Sequence, residues 1–190
     1  MGGKPAKVLV KLRATDGEQD TSTPSWQAQA DPASWGMSVV EANGALYLGA
    51  GVSDYLAKYD KMAGGSRAWR VDTSGSVQVV EMMEKQLVIG GHFWEVAKES
   101  SNWFDDSCGH GRADLLDPDG KCETRKGIAA YSIEGAAAPQ LSDWSPTYAG
   151  KYSLVWALHV DGARLHTGAE FLTVNGVTQN YYARLSPEAL

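Results

Sequence analysis

The chain is poor in several features that would otherwise announce a function. Its 190 residues hold two cysteines and three phenylalanines. No apolar run approaches the ~20 residues that a membrane-spanning helix needs, so membrane insertion is not expected. Basic residues are the minority, 17 Lys and Arg against 23 Asp and Glu, for a net charge of −6. No basic face is visible, and a nucleic-acid partner is not expected. The N-terminus, Met1-Gly2-Gly3-Lys4-Pro5, has no apolar stretch and does not read as a signal peptide as it stands. No nucleophile elbow, P-loop, H-E-x-x-H or dinucleotide fingerprint occurs. The four histidines, His92, His110, His159 and His166, are scattered over different segments. These absences predict a protein that is not an enzyme and needs no cofactor.

What is present is glycine, at 21 residues, with seven tryptophans and eight tyrosines. That mixture suits turn-rich, aromatic-packed β structure. A pattern then repeats. Glycine-ended apolar segments read Leu46-Tyr47-Leu48-Gly49, Leu87-Val88-Ile89-Gly90 and Leu165-His166-Thr167-Gly168. Each follows a second apolar segment, at Val39-Val40, Val77–Val80 and Leu154–Leu158. Between them fall the expected hairpin turns Asn43-Gly44, Glu84-Lys85 and Asp161-Gly162. A third element recurs at Leu9–Leu12, Leu56–Tyr59, Ile128–Tyr131 and Tyr182–Leu185. The first three are followed by glycine turns and then by Trp26, Trp69 and Trp144.

One unit therefore holds four short strands. Gly49 and Gly90 stand 41 residues apart, the size of a propeller blade. Gly90 and Gly168 stand 78 apart, one unit plus an insertion. The chain reads as all-β, with about three four-stranded antiparallel β-propeller blades near 8–54, 55–126 and 127–180. An extra strand is expected at 181–186. A β-sandwich is the competing reading.

The run Gly168-Ala169-Glu170-Phe171-Leu172-Thr173-Val174-Asn175-Gly176, followed by Tyr182-Ala183-Arg184-Leu185, resembles the repeat of secreted bacterial delta-60-type β-propellers. So does Leu87-Val88-Ile89-Gly90-Gly91-His92-Phe93. Kelch propellers are a more distant likeness. The resemblance implies an extracellular or surface-attached protein with no established catalytic residues. The first unit departs from the pattern, with Gly49-Ala50-Gly51-Val52 and no Val-Asn-Gly tail. Three blades do not close a ring of usual size. The chain is thus read as part of a longer propeller, or as a unit that closes with a copy of itself through apolar open faces. Those faces draw on Val8, Leu9, Val10 and Leu12 at one end, and on Val155, Trp156 and Leu158 at the other.

The insertion, at 97–126, reads as a turn-rich loop on one propeller face, where binding usually resides. Its candidate binding residues are Trp94, Trp103, Phe104, Asp105, Asp106 and His110. Cys108 and Cys122 leave three readings open: free thiols, metal ligands or a disulfide. A disulfide is favoured, because an irregular loop of about 15 residues gains roughly 3 kcal/mol from such a clamp. With His110 the cysteines make only three zinc ligands and no C-x-x-C pair, so no metal is expected. Asp114, Asp117 and Asp119 lack the spacing of a calcium loop. The leading function is a binding or scaffolding module that contacts a protein or glycan through face loops. The alternatives are a propeller hydrolase or lyase using channel residues, and a structural spacer.

Overall fold

The computed structural model describes residues 9–18, 20, 34–61, 65–100, 108, 120–134, 138–150, 152 and 154–186. Sheet I is an antiparallel meander of β1 (Trp35–Ala42), β2 (Ala45–Gly51), β3 (Tyr55–Asp60) and β4 (Arg67–Asp72), in that order. Sheet II repeats it with β5 (Val77–Met83), β6 (Gln86–Gly91), β9 (Ile128–Ser132) and β10 (Gln140–Leu141). A ribbon of β7 (Glu95–Ala97) and β8 (Cys122–Thr124) interrupts it. Sheet III has β12 (Val155–Asp161), β13 (Arg164–Ala169) and β16 (Tyr182–Leu185). A small sheet of β11 (Tyr148–Ala149), β14 (Thr173–Val174) and β15 (Val177–Thr178) accompanies it. The protein is all-β and built of propeller blades.

The blades are cut in a different phase from the expected one. The third recurring element closes its own sheet instead of opening the next: β3 pairs with β2, β9 with β6 and β16 with β13. The sheets therefore run 35–72, 77–141 and 155–185, against expected units at 8–54, 55–126 and 127–180. The expected extra strand at 181–186 is the third strand of sheet III. A further repeated detail was hidden in the sequence. Each first strand carries a register shift at the same place, between Gly36 and Ser38, Val77 and Val79, and Val155 and Ala157.

The hairpins are two-residue loops. Asn43 and Gly44 both take positive φ, 51° and 72°. Glu84 takes φ 53° without glycine's freedom. In the third hairpin Asp161 stays in the ladder opposite Arg164. The loop is Gly162-Ala163, one residue on from the expected Asp161-Gly162, with the positive φ at Gly162.

Packing explains why the inner strands are apolar throughout. Along β6, Leu87 and Ile89 join the cluster against sheet I, and Val88 joins the cluster against sheet III. Along β9, Ala129 and Tyr131 face sheet I while Ile128 and Ala130 face sheet III. A sheet buried on both faces has no polar face to alternate with. Glycines set the distance between sheets. A Cβ on Gly49 would lie 2.7 Å from Val77 Cγ1, and one on Gly90 would lie 2.5 Å from Val155 Cγ1.

The end faces correct the expectation of two apolar patches. Val155 and Leu158 are buried against sheet II. The outer face of sheet III instead carries His159, His166, Tyr182 and Arg184, because the register shift turns Ala157 and His159 outward. At the other end Leu48, Tyr55 and Tyr59 are fully buried, and Leu9 packs against their cluster. Val8 lies outside the described residues; Leu12 is exposed.

Two predictions follow from the core. Gly90→Ala should lower stability by about 1–3 kcal/mol through overpacking, while Gly168→Ala, whose Cβ would meet only Ala157 at 3.7 Å, should stay within about 0.5 kcal/mol of the parent. Urea unfolding of the pair tests this. The second concerns alkali. Burial pushes the phenols of Tyr59, Tyr131 and Tyr148 well above the ordinary value of 10.0. Above that value the unfolded chain releases protons that the folded chain keeps. The stability these groups contribute is present below pH 10 and is lost as pH rises, by about 1.4 kcal/mol per pH unit for each tyrosine. The phenolate absorbance of these three tyrosines should appear together with loss of structure rather than before it.

Candidate functional site

Each first strand begins, and each second strand ends, at the same end of the blades. The two-residue hairpins all lie at the opposite end. The connections from second to third strand, at 52–54, 92–127 and 170–181, therefore gather on one face. Three tryptophans are exposed there, Trp35 at 68%, Trp94 at 40% and Trp156 at 48%, together with Tyr181. By contrast Trp69 and Trp144 are both buried.

Named contacts fix this face. The His92 ring meets Trp156 edge-on, with centroids 4.3 Å apart and planes at 88°, joining the ends of sheets II and III. His92 N donates to Ser76 O at 2.8 Å. That approach needs Gly75, where a Cβ would fall 1.9 Å from His92 O. Beside it, Trp94 N and Glu95 N both donate to Ser74 Oγ at 2.9 Å. The Lys126 ammonium stands 5.8 Å from the centre of the Trp94 ring, a cation–π distance.

The turn at 52–54 is held from below. Val52 and Asp54 take φ of 72° and 40°, and Val52 is exposed. A β-branched residue in that region is strained and needs support. Buried Arg70 supplies it: Nη2 donates to Ser53 O at 2.9 Å, the guanidinium pairs with Asp72, and it lies 4.4 Å over the Tyr55 ring. Asp54 Oδ1 accepts from Ser76 Oγ at 3.1 Å, linking this turn to sheet II.

The insertion springs from the same face. Its ends are a paired ribbon rather than the expected loop, with Glu95 opposite Thr124 and Ala97 opposite Cys122. Cys108 and Cys122 are joined as a disulfide with Cα atoms 5.8 Å apart, and both are buried between sheets I and II. Tyr131 Oη donates to Ala97 O at 2.7 Å, and Arg125 Nη2 to Ser142 O at 3.1 Å. A bridge between Thr73 and Val96 ties the ribbon to the end of sheet I.

Of the expected binding residues, Trp94 stands at the foot of this ribbon. Trp103, Phe104, Asp105, Asp106 and His110 lie outside the described residues, as do Asp114, Asp117 and Asp119. Trp35 was missed as a surface residue, and Trp156 was expected on an open end face rather than beside the insertion. Trp156 was read as part of an apolar strand face, but it sits in the register shift between Val155 and Ala157 and is turned out of the ladder. Two adjacent apolar residues that cannot both face inward were the available signal. Chemically, the face offers indole rings for stacking, and the hydroxyl and backbone groups named beside them are engaged within the fold. Among the described residues, no group of three or more His, Cys, Asp or Glu is placed to hold a metal.

Replacing both cysteines by serine should remove up to about 3 kcal/mol of the constraint on the insertion, which closes a loop with a sequence separation of 14. Limited proteolysis should then cut within 98–121 at a rate the intact disulfide suppresses. Equal rates with and without reductant would contradict that role.

No protein-family model and no curated protein matches the chain. Among solved structures it is similar to the computationally designed Ika4 protein, at 13% identity and TM-score 0.40, over 84% of this chain and 95% of that one. It is also similar to the β-propeller domain of Myceliophteria_thermophila Cps50 (Swd1), at 11% identity and TM-score 0.35. That match spans 86% of this chain and 56% of the other.

Proposed function

We propose that the chain is a non-catalytic binding module of a secreted or cell-surface propeller protein of the delta-60-repeat kind. In this reading it takes a protein or glycan ligand on the tryptophan-bearing end face. The observation that carries the proposal is the gathering of Trp35, Trp94 and Trp156, all exposed, on the face from which the disulfide-clamped insertion springs. Exposed indoles are costly to solubility and are typical anchors where a ligand covers them, through stacking on sugar rings or burial under a partner's side chains. The residues beneath them hold the backbone rather than offering chemistry: Ser74, Ser76 and Arg70 are engaged with neighbouring strands and turns. The disulfide supports an oxidising compartment, in keeping with the repeat resemblance.

Screening the intact chain against a glycan array and against extracellular protein fractions should yield a ligand. Trp94→Ala combined with Trp156→Ala should weaken its binding at least about tenfold, with stability changed by no more than about 1 kcal/mol. Binding that survives the double substitution unchanged would overturn the assignment of this face. An unchanged melting temperature is the internal control.

A further inference from the structure

Two junctions in this chain are built alike. Val77 of β5 seats over Gly49 of sheet I, and Val155 of β12 seats over Gly90 of sheet II. Gly168 is the third member of that glycine series, paired with Ala157 as Gly90 is with Val79. Among the described residues nothing seats on it: a Cβ there would meet only Ala157 of its own sheet. The strand that belongs over Gly168 is a first strand, the counterpart of β5 and β12. One first strand in the chain, β1, presents an outward side that no described sheet covers, with Gly36, Val39 and Glu41 exposed on it.

The two surfaces differ from the internal junctions in matched ways. The register shifts align Gly36, Val39 and Glu41 of β1 with Val77, Val80 and Met82 of β5. On the receiving side, His166 and Tyr182 stand where sheet I has Tyr47 and Leu56 and sheet II has Val88 and Ile128. Val39 keeps an apolar side chain for the Gly168 hollow. Gly36, which offers no side chain, stands where Val77 and Val155 seat over a glycine, leaving room beside the enlarged Tyr182. Glu41, which pairs with Lys61 of its own sheet, is acidic where β5 and β12 have Met82 and Val160, and the receiving face carries His166 where the other sheets have Tyr47 and Val88. Arg184 stands opposite His166 on the next strand. Loss of bulk meets gain of bulk, and acid meets base.

We propose that two copies of the chain associate head to tail, with β1 of one seated on the β12–β13–β16 face of the other. Leu9 already lies beside Gly36, Val39 and Leu48, so the contact centres on β1 rather than on the whole of sheet I. Each copy has one donor and one acceptor face. Two copies satisfy both if the ring closes; otherwise the contact propagates as an open chain. The inference is independent of the ligand proposed for the end face.

Sedimentation equilibrium of the full chain, up to about 100 µM, tests it. The expected result is a species of twice the 20.4 kDa chain mass, or a concentration-dependent series. Gly168→Trp places its side chain in open space, so it should fold as the parent does, with circular dichroism as the check, yet associate at least about tenfold more weakly. His166→Glu should weaken association through repulsion from Glu41, and adding Glu41→Lys should restore it. A chain that stays monomeric at the highest concentration would overturn the proposal. So would folded Gly168→Trp and His166→Glu variants that associate as tightly as the parent.

Discussion

The structure depends on how closely one sheet can lie on the next, and that distance is set by glycines. Gly49 and Gly90 leave room for Val77 and Val155 to reach the neighbouring backbone. A methyl group at either position would push the sheets apart and loosen everything stacked between them. Tyr47, Leu56 and Trp69 from sheet I meet Leu87, Ile89 and Tyr131 from sheet II only because that approach is permitted. The same limit explains the composition. A sheet pressed between two others needs apolar residues at consecutive positions, which is why β6 reads as a continuous run rather than an alternating one.

Much of this was legible in the sequence, and the losses have physical causes. The hairpins were readable because Asn43-Gly44 and Gly162 supply backbone conformations that few residues adopt. The glycine-ended strands were readable because they recur. The phase of the blades was not. Leu56–Tyr59, apart from Lys58, and Ile128–Tyr131 carry apolar residues on both sides, and nothing in such a segment says whether it pairs with the strand before or the strand after. A half-buried strand would have declared its face. For the same reason Val155 and Leu158 could be read as an exposed patch, when the register shift beside Trp156 turns both inward.

The candidate site was legible only in outline. Trp94 was found because it abuts the insertion, and Cys108 and Cys122 because their loop needs a clamp. Trp35 was hidden because its exposure comes from where a strand begins, and Trp156, expected on an open end face, was not linked to the insertion because its position comes from a bulge; neither has a marker in the residue itself. Trp69 and Trp144 have the same side chain and are buried, so identity alone could not separate platform from core. The Val52–Asp54 turn was equally silent, since its strained backbone is stabilised by Arg70, a buried cation seventeen residues downstream of Ser53.

The lengths of the strand connections divide the molecule into a fixed half and a variable half. At one end every first-to-second connection is a two-residue turn with no room to grow. At the other, the second-to-third connection is a bare turn at 52–54, a disulfide-clamped excursion at 92–127 and a small extra sheet at 170–181. One topological position has accepted three different payloads without disturbing the blades beneath it. Foreign segments grafted between the second and third strands would therefore be borne by a scaffold already built to tolerate them, while the hairpin end offers a plain surface for tethering.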